Sequence, residues 1–426
     1  MKQILKKVVI WIIERQARLA LWRYRPSVVA VTGNVGKTSA KETVYNVLSV
    51  KYHVRKSQKS FNSEIGIPLT ILGCPTGWSD PLVWLRNICK GCIVPLYWPS
   101  YPQWLVLEVG ADRPGDIKRV ASWLHPDVAV VTAFGETPVH IEFFSSREEL
   151  IAEKGELVKA VRPSGIAVLN SDDEDVLSFR TDVANKPILY GFGREASVQA
   201  SHYSYEYDSR GTVTGFSFKV NRNGSSVPFS LSGFVGRQHV YAALAGISVG
   251  MSQGLNMVEI REALEAYRPQ PGRMNLLSGR EGSTIIDDSY NASPAATHAA
   301  LTVLGELATS GRKIAILGDM MELGAYTHPA HVKVGRHALE VADMIITVGS
   351  RIAVIAELDD GMGVHRQHYS HSREALDGLS LDLREGDVVL VKGSQSARME
   401  RIVKRLLEEG QDTASILVRQ EQHWGE

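Results

Sequence analysis

Lys37 and Thr38 stand near the end of the run Thr32-Gly33-Asn34-Val35-Gly36-Lys37-Thr38-Ser39, whose order is that of a phosphate-binding turn. A lysine so placed reaches the outer phosphates of a nucleoside triphosphate, and the hydroxyl beside it ligates Mg²⁺. Gly33 and Gly36 let successive backbone N–H groups, and the start of a helix, converge on one spot that favours phosphate. The usual pattern has glycine five residues before Gly36, where this chain has Val31. A chance Gly-Lys-Thr in a loop is the competing reading, and the flanking residues weigh against it. Val28-Val29-Ala30-Val31 reads as a short buried strand and Ala40–Leu48 as a helix. Strand, turn and helix fall where nucleotide chemistry needs them.

Other residues have the right types but weaker contexts. Glu108 ends the apolar run Trp104-Leu105-Val106-Leu107, where a carboxylate near a triphosphate can hold Mg²⁺. His140 follows the strand pattern of residues 127–132 and would share its rim, although a lone histidine is more often structural. Lys154, in Ala152-Glu153-Lys154-Gly155-Glu156, reads as an ordinary helix-surface lysine. Asp287, Asp288, Asn291 and Asp319 are expected at strand ends facing a common cleft.

The elements that must position these residues form two α/β units. A chain of 426 residues with 44% hydrophobic and 22% charged residues is globular and long enough for two or three domains. Residues 104–110, 127–132 and 165–170 are strands alternating with helices such as 147–161, which implies a mostly parallel sheet with ligands at the strands' carboxyl ends. Residues 186–235 turn to alternating β patterns and Gly turns, predicting an antiparallel flap, and 238–265 return to helix. Pro269-Gln270-Pro271-Gly272 is a natural hinge. Beyond it, strands at 284–288, 313–319, 344–349 and 387–393 predict a second, Rossmann-like domain over 271–426. It carries no G-x-G-x-x-G fingerprint, so no dinucleotide is indicated. The first domain is expected over 26–270, with an apolar insertion at about 75–102.

Lys+Arg and Asp+Glu are equal at 47 each, so charge gives no support to a nucleic-acid partner. Cys74, Cys89 and Cys92 cannot build a disulfide framework, and Cys89-Lys90-Gly91-Cys92 lacks the second pair a zinc site needs. Residues 1–25 form a basic amphipathic helix whose apolar run, Val8–Ile13, is too short to span a bilayer. With Trp11 and Trp22 it could lie on an anionic membrane surface, or pack on the protein's own body. The 75–102 insertion offers the same choice, an exposed face or packing against that helix.

Taken together, an ordered set of segments resembles one family. Thr32–Ser39, Phe61–Thr70, Glu108-Val109-Gly110-Ala111, His140-Ile141-Glu142, Glu153-Lys154-Gly155-Glu156, Pro271-Gly272-Arg273-Met274, Asp287-Asp288-Ser289-Tyr290-Asn291-Ala292-Ser293-Pro294, Leu317–Gly324 and Val391-Lys392-Gly393-Ser394 resemble the Mur ligase family. Within it, the resemblance is to the branch that adds D-alanyl-D-alanine to UDP-N-acetylmuramoyl-tripeptide in cell-wall synthesis.

The resemblance implies a mechanism. ATP phosphorylates the peptide carboxylate, and the amine of the dipeptide displaces phosphate from the acyl phosphate. Gly33, Asn34, Val35, Gly36, Lys37, Thr38 and Ser39 would hold the nucleotide phosphates, met from the C-terminal domain by Arg273 and Asn291. Thr38 and Glu108 would hold one Mg²⁺, and Glu108 with His140 a second. Lys37, His140 and Lys154 would be catalytic, Lys154 as a carbamate. A cytoplasmic monomer is expected, with a peripheral contact to the inner membrane face. The chain reaches its P-loop by residue 32, so the family's N-terminal UDP-sugar domain is expected to be lacking. Two other readings fit fewer residues: another amide ligase of the superfamily, such as a folylpolyglutamate-synthase-like enzyme or a ligase for a different wall peptide, and a non-catalytic nucleotide-binding partner of wall synthesis.

Overall fold

The computed structural model describes residues 2–58, 61–77, 80–135, 143–222, 224–358 and 363–420, with side chains from residue 7 onward. Among the described residues two sheets organise the chain. The first contains β1 (Ser27–Thr32), β2 (Val54–Lys56), β3 (Trp104–Glu108), β4 (Val128–Val131), β5 (Ile166–Asn170), β6 (Ile188–Gly191), β7 (Val198–Tyr207), β8 (Val213–Arg222) and β9 (Ser225–Ser232). Their spatial order is β2-β3-β1-β4-β5-β6-β7-β8-β9. Pairings are parallel up to β7 and antiparallel from β7 to β9. The expected flap is therefore the far edge of the same sheet.

Helices cover both faces, which is why the central strands are almost wholly apolar. They are α1 (Lys2–Tyr24), α2 (Lys37–Ser49), α3 (Gly66–Leu72), α4 (Pro81–Leu96), α5 (Asp116–Leu124), α6 (Arg147–Lys159), α7 (Glu174–Ser178), α8 (Arg237–Ser252) and α9 (Met257–Glu265). Side chains divide with period two. Val29, Val31, Val128 and Val130 pack with α2, α8 and α9, whereas Val28, Ala30, Leu105 and Leu107 pack with α1, α3, α5 and α6. The predicted helix over 238–265 is two helices, because Gly254 turns left-handed (φ +77°) and Asn256 and Glu259 form a capping box for α9.

The second sheet is a doubly wound unit of β10 (Asn275–Ser278), β11 (Thr284–Asp288), β12 (Lys313–Gly318), β13 (Met344–Val348), β14 (His365–Tyr369) and β15 (Val388–Lys392). Its order is β10-β11-β15-β12-β13-β14, parallel except at β10. Helices α10 (Pro294–Glu306) and α11 (Thr327–Val341) pack on one face, α12 (Ser372–Gly378) and α13 (Glu400–Leu406) on the other. This is the Rossmann-like pattern expected from the sequence.

Residues 75–102 contain α4, started by the Asp80 carboxylate, which accepts from the Leu82 and Val83 N–H groups ahead of Pro81. It packs along α1. The Gln16 amide donates to the Ile88 carbonyl (3.0 Å), and the Tyr24 hydroxyl to that of Val94 (2.7 Å). A side chain at Gly91 would overlap Gln16. The N-terminal helix is not amphipathic in the ordinary sense. Ile13, Ala17 and Ala20 face the core, yet Val8, Trp11, Leu19 and Trp22 are exposed on the other side. Among the described residues, no helix is long and apolar enough to cross a membrane.

Candidate active site

The glycine-rich turn joins β1 to α2 across the carboxyl edge of the first sheet. The Asn34 and Val35 N–H groups both donate to the Ala133 carbonyl (2.7 and 3.1 Å), which ties the turn to the exit of β4. Gly33 has φ +137°, and a side chain there would strike the Thr132 hydroxyl. Gly36 has φ +84° and stands at the N-cap of α2, so no side chain covers that helix's first N–H groups. The Lys37 amine bends back to the Asn34 carbonyl (3.2 Å), and Ser39 lines the adjoining cavity. Val31 lies inside β1, buried against the core, and the turn needs glycine only at 33 and 36.

The register of β1 against β3 sets Val31 beside Glu108, bringing that carboxylate under the turn. Glu108 is only 2% exposed. It accepts from the Thr38 hydroxyl (3.1 Å) and the Asn62 amide (3.4 Å), and the buried Lys41 amine lies 3.7 Å away. Lys41 also donates to the Ser57 carbonyl (2.9 Å). A hydroxyl and a carboxylate side by side are hard oxygen donors, the chemistry that suits Mg²⁺.

Across the Pro269–Gly272 tether, Arg273 lays its guanidinium over the Tyr290 ring (4.1 Å), with one nitrogen 3.5 Å from the Thr38 hydroxyl. The Arg273 carbonyl meets the His239 ring (3.1 Å); burial depresses that imidazole to about 4, keeping it neutral. Lys392 pairs with Asp288 and donates to the Asn291 carbonyl (3.0 Å). His239, Arg273, Asp288, Asn291 and Lys392, with Asn34, Val35 and Gly36, line a cavity of about 120 Å³. On the other side of Val35 and Gly36 lies a cavity of about 380 Å³, walled by Asn170, Tyr190 and Tyr241 and by Ala295, Ala299 and Thr302 of α10. The arrangement sets the glycine turn and Lys37 of the first domain against Arg273 and Lys392 of the second.

Comparison with protein families matches residues 99–250 to the Mur ligase middle domain and residues 272–395 to the Mur ligase glutamate ligase domain. The UDP-N-acetylmuramoyl-tripeptide–D-alanyl-D-alanine ligase of Escherichia coli strain K12 is 30% identical over 386 residues, covering 90% of this chain and 77% of that one. The chain belongs to the Mur ligase family. The Bacillus subtilis strain 168 protein of the same name is 28% identical over 402 residues, covering 93% and 79%. Among solved structures, the MurF ligase of Thermotoga maritima in complex with ADP superposes with a TM-score of 0.74 at 26% identity, covering 93% of this chain and 82% of that one. The family brings its enzyme class, an ATP-dependent ligase that releases ADP.

Two sequence expectations fail in this Mur ligase. Lys154 is not a surface lysine, being 2% exposed on the stripe of α6 that also buries Leu150, Leu157 and Val158. Its neighbour Glu153 accepts from the Ile117 and Lys118 N–H groups at the start of α5 (2.7 and 3.0 Å). Burial first, then the Lys37 charge, lowers the Lys154 amine to about 7, with Asp112 and Glu153 opposing. The Lys37 amine is itself lowered by burial. The second failure concerns the strand-end carboxylates. Asp288 and Asn291 line the smaller cavity, but Asp287 is wholly buried. Asp319 holds the exit of β13, accepting from the Arg351 and Ile352 N–H groups (3.0 and 2.8 Å). His140 lies outside the described residues.

Sequence reasoning missed Asn170, Tyr241 and Lys392 as lining residues. Asn170 ends β5 at the same carboxyl edge as Glu108, and Lys392 ends β15 at the carboxyl edge of the second sheet, a positional signal that was available. Tyr241 lies on α8, and its hydroxyl donates to Asp172 (2.8 Å); nothing local in the sequence marks it.

Proposed function

We propose that this Mur ligase joins the terminal carboxylate of UDP-N-acetylmuramoyl-tripeptide to the amine of D-alanyl-D-alanine, using ATP. The carboxylate takes the γ-phosphoryl group and releases ADP, and the dipeptide amine then attacks the acyl carbon and releases phosphate. The observation that carries the reading is the Thr38–Glu108 contact met by Arg273 from the other domain. The names of the Escherichia coli and Bacillus subtilis relatives support the substrates.

In this reading the turn from Gly33 to Ser39 cradles the phosphates, and the adenosine occupies the larger cavity. Lys37 and Arg273 face the transferring phosphoryl group from opposite domains, which suits a reaction governed by alignment and charge. Asn291 meets the nucleotide beside Arg273. Thr38 and Glu108 would hold Mg²⁺, and Glu108 with His140 a second ion; bound there, the metal neutralises phosphate charge. Lys154 serves as a carbamate, because a buried amine lowered to about 7 is neutral often enough to take up CO₂. The enzyme works as a cytoplasmic monomer that touches the inner membrane face peripherally.

The test is phosphate release from ATP. It should require both the muramyl tripeptide and D-alanyl-D-alanine, with UDP-linked and lipid-linked acceptors assayed side by side. Release with glutamate and a folate instead, or none with any pair, would overturn the proposal.

A further inference from the structure

We propose that the outer faces of α1 and α4 together form a docking surface for an anionic lipid bilayer. The inference extends the reading of a ligase that touches the membrane, and names the surface and the lipid class. On α1, Val8, Trp11, Arg15, Leu19 and Trp22 recur every three or four residues along the face turned away from Ile13, Ala17 and Ala20. On α4, Leu82, Leu85, Cys89, Ile93 and Leu96 do the same opposite Asn87, Gly91 and Val94. Trp22 is 68% exposed, Leu82 75% and Leu96 77%. Scattered exposed apolar residues are ordinary, but two aligned stripes of them are not.

The stripes lie side by side. Gln16 at the edge of α1 bonds both the Ile88 carbonyl and, at 3.1 Å, the thiol of Cys92 on the exposed side of α4. Each stripe spans fourteen residue steps, about 21 Å of helix. Together they form a platform that can lie in the plane of a bilayer surface, sunk to the level of the headgroups.

Charge selects the lipid. The chain is neutral overall, yet residues 1–25 carry seven lysines and arginines against the single acid Glu14, and α4 carries Arg86 and Lys90 with no acid. Arg15 and Arg18 project on the exposed side between Trp11 and Trp22, and Arg86 on the exposed side of α4. Arginine among tryptophan and leucine suits an anionic headgroup layer over an acyl boundary. A second copy of the same face would set these cations against one another.

Sedimentation of the full chain with vesicles tests this. Binding is expected to phosphatidylglycerol–phosphatidylcholine vesicles, weakly to phosphatidylcholine alone, and less as salt rises. Two double variants separate the contributions. Trp22→Gln with Leu96→Gln and, independently, Arg15→Gln with Arg18→Gln should each weaken binding by roughly tenfold or more. All four positions are exposed, so circular dichroism and phosphate release with a soluble acceptor should not change. In the unsubstituted chain, phosphatidylglycerol vesicles should slow alkylation of Cys89 by a charged maleimide. Failure to bind either vesicle, binding indifferent to both variants, or light scattering from a dimer that the apolar variant dissolves would each overturn the proposal. None of these results bears on ligase activity in solution, so the catalytic reading stands or falls separately.

Discussion

Arg273 places a guanidinium nitrogen 3.5 Å from the hydroxyl of Thr38, a contact between residues 235 positions apart. One comes from the glycine-rich turn of the first domain, the other from the residue that follows the tether into the second. In the proposed mechanism an arginine so held would face the nucleotide phosphates. Arg273→Ala is expected to lower kcat/KM for ATP by about tenfold to a hundredfold, roughly 1.4–2.7 kcal/mol. Arg273→Lys should recover little, because an ammonium cannot lie flat on Tyr290 as the guanidinium does. Steady-state phosphate release at varied ATP measures this, and unchanged kinetics in the alanine variant would remove Arg273 from the site.

Lys37→Ala should cost more, at least about 10²–10³ in rate, since it removes charge aimed at the transferring phosphoryl group. ADP binding should fall far less than turnover, because the backbone N–H groups of the turn remain. Single-turnover kinetics beside ADP titration resolve the two. A near-normal turnover would refute the assigned role.

Lys154 makes a pH-dependent prediction. Its amine is protonated below about 7 and neutral above it. Carbamylation consumes the neutral form, so activity should rise with pH through about 7 and fall in CO₂-depleted buffer. Lys154→Ala should be severely impaired yet regain part of its activity with formate or acetate, which can occupy the vacated space as carboxylates. A flat pH profile together with no rescue would discard the carbamate.

Asp287 predicts a change in stability. Burial pushes its carboxyl from an ordinary 3.8 to about 6, and one oxygen has no hydrogen-bond partner among the described residues. A pKa raised on folding contributes stability fully below the unfolded value of 3.8, and that contribution is lost as pH rises through about 6. Asp287→Asn keeps an acceptor for the Ser289 N–H and removes the charge. It should stabilise the fold above pH 6 by on the order of 3 kcal/mol and do little at pH 4. Urea unfolding at both values decides; equal shifts at the two would be contrary evidence.

What could be read in advance followed from whether a residue's neighbours in sequence are also its neighbours in space. The turn at Gly33–Ser39 was legible because β1, glycine and α2 are consecutive, and Glu108 because it ends an apolar strand. The parallel sheets showed in apolar runs separated by helical spacing. Lys154 was misread although its position carried the clue, for it sits at helical spacing between Leu150 and Leu157. A lysine on an apolar stripe has to be explained by a partner or a task, and no local pattern supplies either. The division of labour between Asp287 and Asp288 could not be seen, because adjacent strand residues face opposite sides and the sequence does not say which side is the cleft. The break between α8 and α9 was missed: Gly254 and the Asn256–Glu259 pair mark it, but the apolar periodicity on either side obscured them.

The tether has a kinetic consequence. Its Gln270 amide bonds Glu42 of α2 (2.9 Å), and its Gly272 carbonyl accepts the Tyr290 N–H (3.2 Å), so each end is fastened to a different domain. Pro269 before Gln270 and Pro271 after it stiffen the tether, and Arg273 is the next residue after it. However widely the second domain swings, the arginine stays on a short leash. Its effective concentration at the phosphate turn is therefore in the millimolar range or above, supplied within the chain. In the proposed mechanism each catalytic cycle would then begin with the second cation already at the door, and re-engagement after product release would be a local rotation in place of a diffusive search.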